Sequence, residues 1–283
     1  MKEKIDAILT DKTKLPSISS VVLKVMEMVQ NPEVDITALA AEISKDPSIT
    51  ASIIKLSNSA YYRKSQPIKT VQESLMTLGT KVVKEIILLT AAKGILNKNI
   101  PGYQIDAEAM WLHSIVVAEL SSRIVRDKKL KIEPDLAFTG GLLHDIGKVI
   151  LSQFFPQAMM QIKNELKDQK ETFDSIEKKH FGYDHQEVGA RLLKAWNFPI
   201  ELIATALFHH NPEKATKFKD LVSVVHVANT ITIVSGIGID IGGLTNPLSE
   251  EAVKLLGITE EDLQKYYLLL PELEEQIAEL ITS

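Results

Sequence analysis

The stretch Gly140-Gly141-Leu142-Leu143-His144-Asp145-Ile146-Gly147-Lys148 decides the reading of this chain. An imidazole and a carboxylate stand side by side among aliphatic residues, ten residues into a helix that opens at Pro134 and runs through Leu142 and Leu143 to Phe154. Gly140 and Gly141, one turn earlier, weaken a helix, which makes sense where another backbone must come close. Such a polar pair is either a hydrogen-bonded part of a core or part of a site.

The other histidines bear on that choice. All seven fall at 113, 144, 180, 185, 209, 210 and 226. His113 shares the apolar stripe of its helix with Val117, Leu120 and Ile124, behind an Asp106 cap. His185 lies in the first turn of a helix spanning about 184–196, and His209-His210 closes the helix from Ile200, just before Asn211-Pro212. Imidazole and carboxylate together suit Zn, Fe, Mn or Ni, and helical bundles collect such ligands from facing helices. His113, His144, Asp145, His185, His209 and His210 are therefore candidate metal ligands. Any one of these histidines alone is better read as a core residue, and His209-His210 also suits the negative end of a helix dipole. His180 and His226 have no evident partner and are read as structural.

Composition sets the class. With 45% hydrophobic and 24% charged residues, the 283-residue chain can bury a substantial core. Thirteen glycines, eleven prolines and 6% aromatics favour helices over a turn-rich β architecture. A net charge of -5 argues against a nucleic-acid partner, and the short basic run Arg126, Lys128, Lys129 and Lys131 is a solvated loop. The absence of cysteine excludes disulfides and thiolate ligands and suits a reducing cytoplasm. The first residues lack a signal-peptide stretch, and Ile86 to Leu96 is too short to span a bilayer and contains Lys93, so no membrane role is expected and the location is cytoplasmic. The glycines at 236, 238, 242 and 243 follow a helix rather than a strand, which argues against a phosphate loop.

Helical punctuation continues to both ends. Residues Ile18, Val21, Val22, Val25, Met26 and Val29 form a stripe, Asp35 caps a further helix, Asp46-Pro47-Ser48 punctuates before another from Ile49 to about Leu56, and Thr70 with Glu73 has capping-box spacing. Gly79-Thr80 separates two helices, Lys98 to Ile105 is the expected junction between lobes, and Ser235 to Pro247 is a loop. Helices are expected at about 172–182 and from Leu221 to Val234, and the tail from Glu250 to Ile281 holds two or three short ones. The fold class is all-α, in two packed helical lobes.

Two sets of phrases carry a family resemblance. Trp111-Leu112-His113-Ser114 and Gly141-Leu142-Leu143-His144-Asp145-Ile146-Gly147-Lys148 resemble the first His and the His-Asp doublet of the HD superfamily, where these residues and a later Asp bind divalent metal and activate water against phosphate esters. His185 and His209-His210 resemble the extra ligands of the HD-GYP branch, which hydrolyses cyclic di-nucleotides. The N-terminal half resembles a narrower family, HDOD (HD-related output domain). Its phrases are Leu15-Pro16-Ser17-Ile18, Ile43-Ser44-Lys45-Asp46-Pro47-Ser48-Ile49-Thr50, Leu56-Ser57-Asn58-Ser59-Ala60-Tyr61 and Ser74-Leu75-Met76-Thr77-Leu78-Gly79. Asp184-His185-Gln186-Glu187-Val188-Gly189-Ala190 and Trp196-Asn197-Phe198-Pro199 continue the match.

The resemblance implies an HD-domain-like helical bundle with an N-terminal lobe. The expected bounds are 1–100 for that lobe, 101–235 for the HD-like lobe and 236–283 for a tail packed on the same domain. It also implies a bacterial signal-transduction module that is non-catalytic, works through a signalling protein partner or a sensed ligand, and keeps a relic HD site. The alternative is a metal-dependent phosphohydrolase acting on a nucleotide or cyclic di-nucleotide, with Lys148 steadying a phosphate. Two departures favour the first. Asn229 stands where HD enzymes place their last acid, and an amide oxygen is a weaker ligand without negative charge. His209-His210 is followed by Asn211-Pro212-Glu213, not Gly-Tyr-Pro. The implied metal set is thus His113, His144, Asp145, His185, His209, His210 and Asn229. Tyr61-Tyr62-Arg63-Lys64 is read as packing with polar tips, with a place in the groove between lobes as the other option.

Overall fold

A computed structural model describes residues 1–11, 15–16, 18–29, 31, 33–59, 67–96, 100, 103, 105–156, 158, 162, 171–238 and 245–282, with the backbone alone for 278–282. Tyr61 to Lys64, Pro101-Gly102 of the expected junction and the glycines at 242 and 243 lie outside the described residues. Among the described residues there is no strand; one antiparallel bridge joins Ile100 to Ile105. No helix among them is long and apolar enough to cross a membrane.

The chain divides into two compact units. One is formed by Pro16–Gly94 with Glu272–Ser283, the other by Met1–Leu15 with Ile95–Pro271. The termini therefore group differently from the expected bounds. Helix α1 (Lys2–Thr10) belongs with the histidine-rich unit because Ile5, Ile8 and Leu9 are buried there. Its Asp6 also accepts hydrogen bonds from the Tyr183 hydroxyl at 2.9 Å and from Arg191 at 3.3 Å.

The N-terminal unit is built from helices with local start signals. In α2 (Ser20–Met28) Val22 and Val25 are buried, and α3 (Ile36–Ile43) begins where the Asp35 carboxylate accepts the Thr37 amide. Asp46 caps α4 (Pro47–Ser57) through the Ser48 and Ile49 amides, since proline at the first helical position has no amide to satisfy. Thr70 and Glu73 close the expected capping box before α5 (Val71–Leu96), each side chain bonded to the other's amide at 3.0 and 3.2 Å. The expected break within it falls at Gly79, whose backbone is non-helical.

In the second unit α6 (Ala107–Asp127), α7 (Pro134–Leu143) and α8 (Ile146–Phe154) lead to α9 (Phe173–Phe181), α10 (His185–Ala195) and α11 (Ile200–Phe208). A short 3-10 turn at Pro212–Lys214 then leads into α12 (Lys219–Val234), and α13 (Glu250–Leu255) and α14 (Glu260–Thr282) follow, the residues of α14 from Glu272 onward belonging to the N-terminal unit. The continuous helix expected from Pro134 to Phe154 is two helices; His144 and Asp145 form the turn between them. Backbone contact at two glycines fixes that turn. A Cβ on Gly141 would meet the Ala118 Cα of α6 at 2.7 Å, and one on Gly147 would meet the His185 carbonyl oxygen at 1.9 Å. Only glycine lets α7 lie directly on α6 and α8 directly on the start of α10. The basic run behaves as surface, with Lys128 capping α6 and ion-paired to Asp262 at 2.8 Å.

Candidate metal centre

Asp145 is the hub. It is 1% exposed, and its two oxygens divide the surrounding imidazoles. Oδ2 lies 3.7 Å from His113 Nε2 and 3.4 Å from His144 Nε2. Oδ1 lies 3.5 Å from His185 Nε2 and 3.4 Å from His209 Nε2. His185 Nε2 is also 3.0 Å from His210 Nε2. The expected imidazole and carboxylate ligands are thus all brought together, by α6, the α7–α8 turn, α10 and the end of α11. The expectation that His113 points inward holds: it is 2% exposed, and His144, His185 and His209 are fully buried. His210 is the one partly exposed member.

The imidazoles are prearranged by their other nitrogen. His113, His144 and His209 donate Nδ1–H to the carbonyls of Ile237 at 3.1 Å, Gly141 at 2.6 Å and Ala206 at 2.9 Å. A carbonyl only accepts, so each Nδ1 carries the proton and each Nε2 presents a lone pair to the centre. Those three Nε2 atoms, Asp145 Oδ1 and Asn229 Oδ1 are all buried without a hydrogen-bond partner. Buried lone pairs left unpaired are costly unless something accepts them. Donors sharing one ion at about 2.1 Å stand roughly 3–3.5 Å apart, close to the separations here. The donor set therefore fits a divalent cation, in two groups that share Asp145: His113 and His144 on one side, His185, His209 and His210 on the other.

Electrostatics point the same way. Burial pushes the His113 pKa down to about 4 and that of His209 to about 3, and it holds His210 well below the ordinary range. Neutral imidazole is the form that ligates metal. Burial alone would raise the Asp145 carboxyl, but the Lys148 ammonium at 2.6 Å, followed by His144, holds it well below the ordinary value. His185 is the exception. Burial would lower it, yet the Glu177 carboxylate, 2.6 Å from Nδ1, outweighs that and raises it to about 9.

Asn229 is 2% exposed, on α12. His226, one turn before it, donates Nδ1–H to the His209 carbonyl at 2.7 Å and accepts the Ser249 amide at 2.9 Å on Nε2. This histidine has a structural role, fastening the ligand-bearing end of α11 to the cap of α13. Glu177 escaped the sequence reading. Its signal was a glutamate at the apolar spacing of Phe173 and Phe181 in α9.

Residues 15–212 match the HDOD domain. The chain belongs to the HDOD family. An HDOD domain protein of unknown function from Geobacter sulfurreducens has the same fold, with a TM-score of 0.74 and 25% identity, covering 98% of this chain and 96% of that one. A candidate signal transduction protein from Marinobacter aquaeolei VT8 superposes with a TM-score of 0.78 at 19% identity, over 97% of this chain and 61% of its own. An uncharacterized protein of Treponema pallidum (strain Nichols) is 25% identical over 230 residues; the match takes in 78% of this chain but only 43% of that relative's length. The HDOD match ends at the Asn211-Pro212 step just after His210, so the candidate imidazole and carboxylate ligands all lie within it, and Asn229 beyond it.

Proposed function

We propose that this HDOD protein is a signal-transduction module whose buried centre holds a divalent cation (Fe, Mn, Zn or Ni) for structure or sensing, and that it acts through a signalling protein partner rather than by hydrolysis. His113, His144 and Asp145, with His185, His209 and His210, would hold the ion, and Asn229 would be the neutral member of the set. Such an ion supplies positive charge and Lewis acidity when bound.

The observation that carries this reading is the combination of an amide at Asn229 with a centre in which His210 alone of the candidate ligands is partly exposed. A phosphate ester needs an open coordination position and a path to it, whereas His113, His144, Asp145, His185 and His209 are each exposed by 2% or less. The buried carboxylate nearest this set, Glu177, lies behind His185 on Nδ1 and does not replace the missing acid. A metal-dependent phosphohydrolase acting on a nucleotide or cyclic di-nucleotide is the second reading, favoured by the full imidazole set and by Lys148 beside Asp145. Protein loaded with Mn or Fe and incubated with nucleotides and cyclic di-nucleotides separates the two. The proposal expects no product above a His144→Ala control, and turnover that depends on His144 would contradict it.

A further inference from the structure

Three histidines of the centre, His113, His144 and His209, take their orientation from main-chain carbonyls, whereas His185 is backed by a buried carboxylate. Glu177 on α9 is 0% exposed. Its Oε2 accepts both the His185 Nδ1–H at 2.6 Å and the His185 backbone amide at 3.0 Å, and its Oε1 accepts the Tyr103 hydroxyl. Tyr103 is itself fully buried and stacks edge-on against Phe173, 5.3 Å between centroids. One carboxylate thus receives three donors, two of them from the residue it orients.

We infer that Glu177, held by Tyr103, is the positioning residue of the second ligand group: it fixes His185 with Nδ1 protonated and Nε2 turned to Asp145 and His210. The inference rests on the metal-centre reading proposed above and goes beyond it by assigning a residue outside the ligand set. The physical case is that burying a carboxylate in a helical core is expensive unless it is fully hydrogen-bonded, and a charged acceptor orients an imidazole more firmly and raises its donor strength more than a carbonyl does. The two bonds to His185 also tie the ring to the first turn of α10, where the Gly147 contact presses α8 against the carbonyl of that same residue. Ring, turn and hub are set by one constraint.

The test compares wild type, Glu177→Gln, Glu177→Asp and Tyr103→Phe, with the melting temperature of each recorded as a check on folding. Titration with Co2+, followed by its visible absorption, reads affinity and ligand field together. Loss of an outer partner of a ligating histidine weakens metal binding by about 10–100-fold. Glu177→Gln is expected to fall in that range with an altered Co2+ spectrum, Glu177→Asp to recover part of the affinity, and Tyr103→Phe to weaken binding less than Glu177→Gln. A folded Glu177→Gln protein that binds Co2+ with unchanged affinity and spectrum overturns the inference. A second readout is independent of metal: in metal-free protein labelled with 15N, the His185 Nδ1–H proton should appear far downfield and should vanish in Glu177→Ala but persist in Asp145→Ala. If wild type takes up no Co2+ yet shows that proton, the metal reading fails and the positioning of His185 by Glu177 stands. If the proton is absent from wild type, the positioning role fails.

Discussion

Replacing Gly147 by alanine should be the most damaging glycine-to-alanine change among the described residues. The added Cβ would sit 1.9 Å from the His185 carbonyl oxygen and 2.7 Å from the Gly189 amide nitrogen. Carbon and oxygen need about 3 Å or more in a close-packed interior, so α8 and the start of α10 would have to part by roughly 1 Å. Neither neighbour is the flexible end of a side chain; both are backbone. Overpacking of this kind costs typically about 1–3 kcal/mol, and backbone on backbone puts the expected cost at the upper end or beyond it. For a domain of this size that lowers the melting temperature by roughly 5–10 °C. The same displacement moves His185 away from Asp145, now 3.5 Å apart, so metal uptake should fall along with stability. Urea unfolding measures the first effect and metal titration of the folded fraction the second. Two further glycines calibrate the result. A Cβ on Gly189 would meet its nearest neighbour at 3.2 Å and should cost less, and Gly94 has nothing within 4 Å. Gly94 is also exposed and helical, so alanine there should stabilise by about 0.5–1 kcal/mol. A Gly147→Ala protein that unfolds at the wild-type urea concentration would refute the close-approach reasoning.

Two other perturbations have definite signs. Asp262 Oδ2 accepts from Lys128, 2.8 Å away, and from the Thr259 amide at 2.9 Å, and these bonds hold its carboxyl at about 2. Because the folded value lies below the unfolded value of about 3.9, its contribution is present above about pH 4 and is lost as pH falls toward 2. The pair is near the surface, so screening limits it: Asp262→Asn should cost about 0.5–1 kcal/mol at pH 7, shrinking below about pH 4, as read by thermal melts across pH. Asn229→Asp restores a carboxylate at a buried, unpartnered position and should tighten divalent-metal binding by about tenfold, measured by calorimetry; unchanged affinity would place Asn229 outside the ligand set.

Much of this was legible beforehand, for identifiable reasons. Helix starts at Asp35, Thr70 and Asp106 could be named because capping is local chemistry, set by side chains within three residues of the amides they satisfy. The convergence of the candidate histidines was legible because imidazoles at apolar positions on several helices seldom coincide unless they meet at one point. What local pattern could not supply was the partition of contacts in space. The break at His144-Asp145 arises from α6 and α10 pressing on Gly141 and Gly147, both distant in sequence. Helix α1 joins the second unit through Tyr183 and Arg191, each more than 170 positions away. Glu177 escaped notice because a lone glutamate in a helix is normally solvated; only the positions of His185 and Tyr103 explain its burial. The structural reading of His226 could name no partners because they are a carbonyl and an amide, which leave no mark on side-chain pattern.

Everything said of this centre depends on whether Asp145 and its imidazoles hold an ion. Elemental analysis of wild type and Asp145→Ala, each reconstituted with Fe, Mn, Zn or Ni and then desalted, measures this. Wild type should retain at least one equivalent of metal and Asp145→Ala almost none at matched folding. A wild-type protein that retains none of the four, or an Asp145→Ala protein that retains as much, would contradict the metal-centre reading.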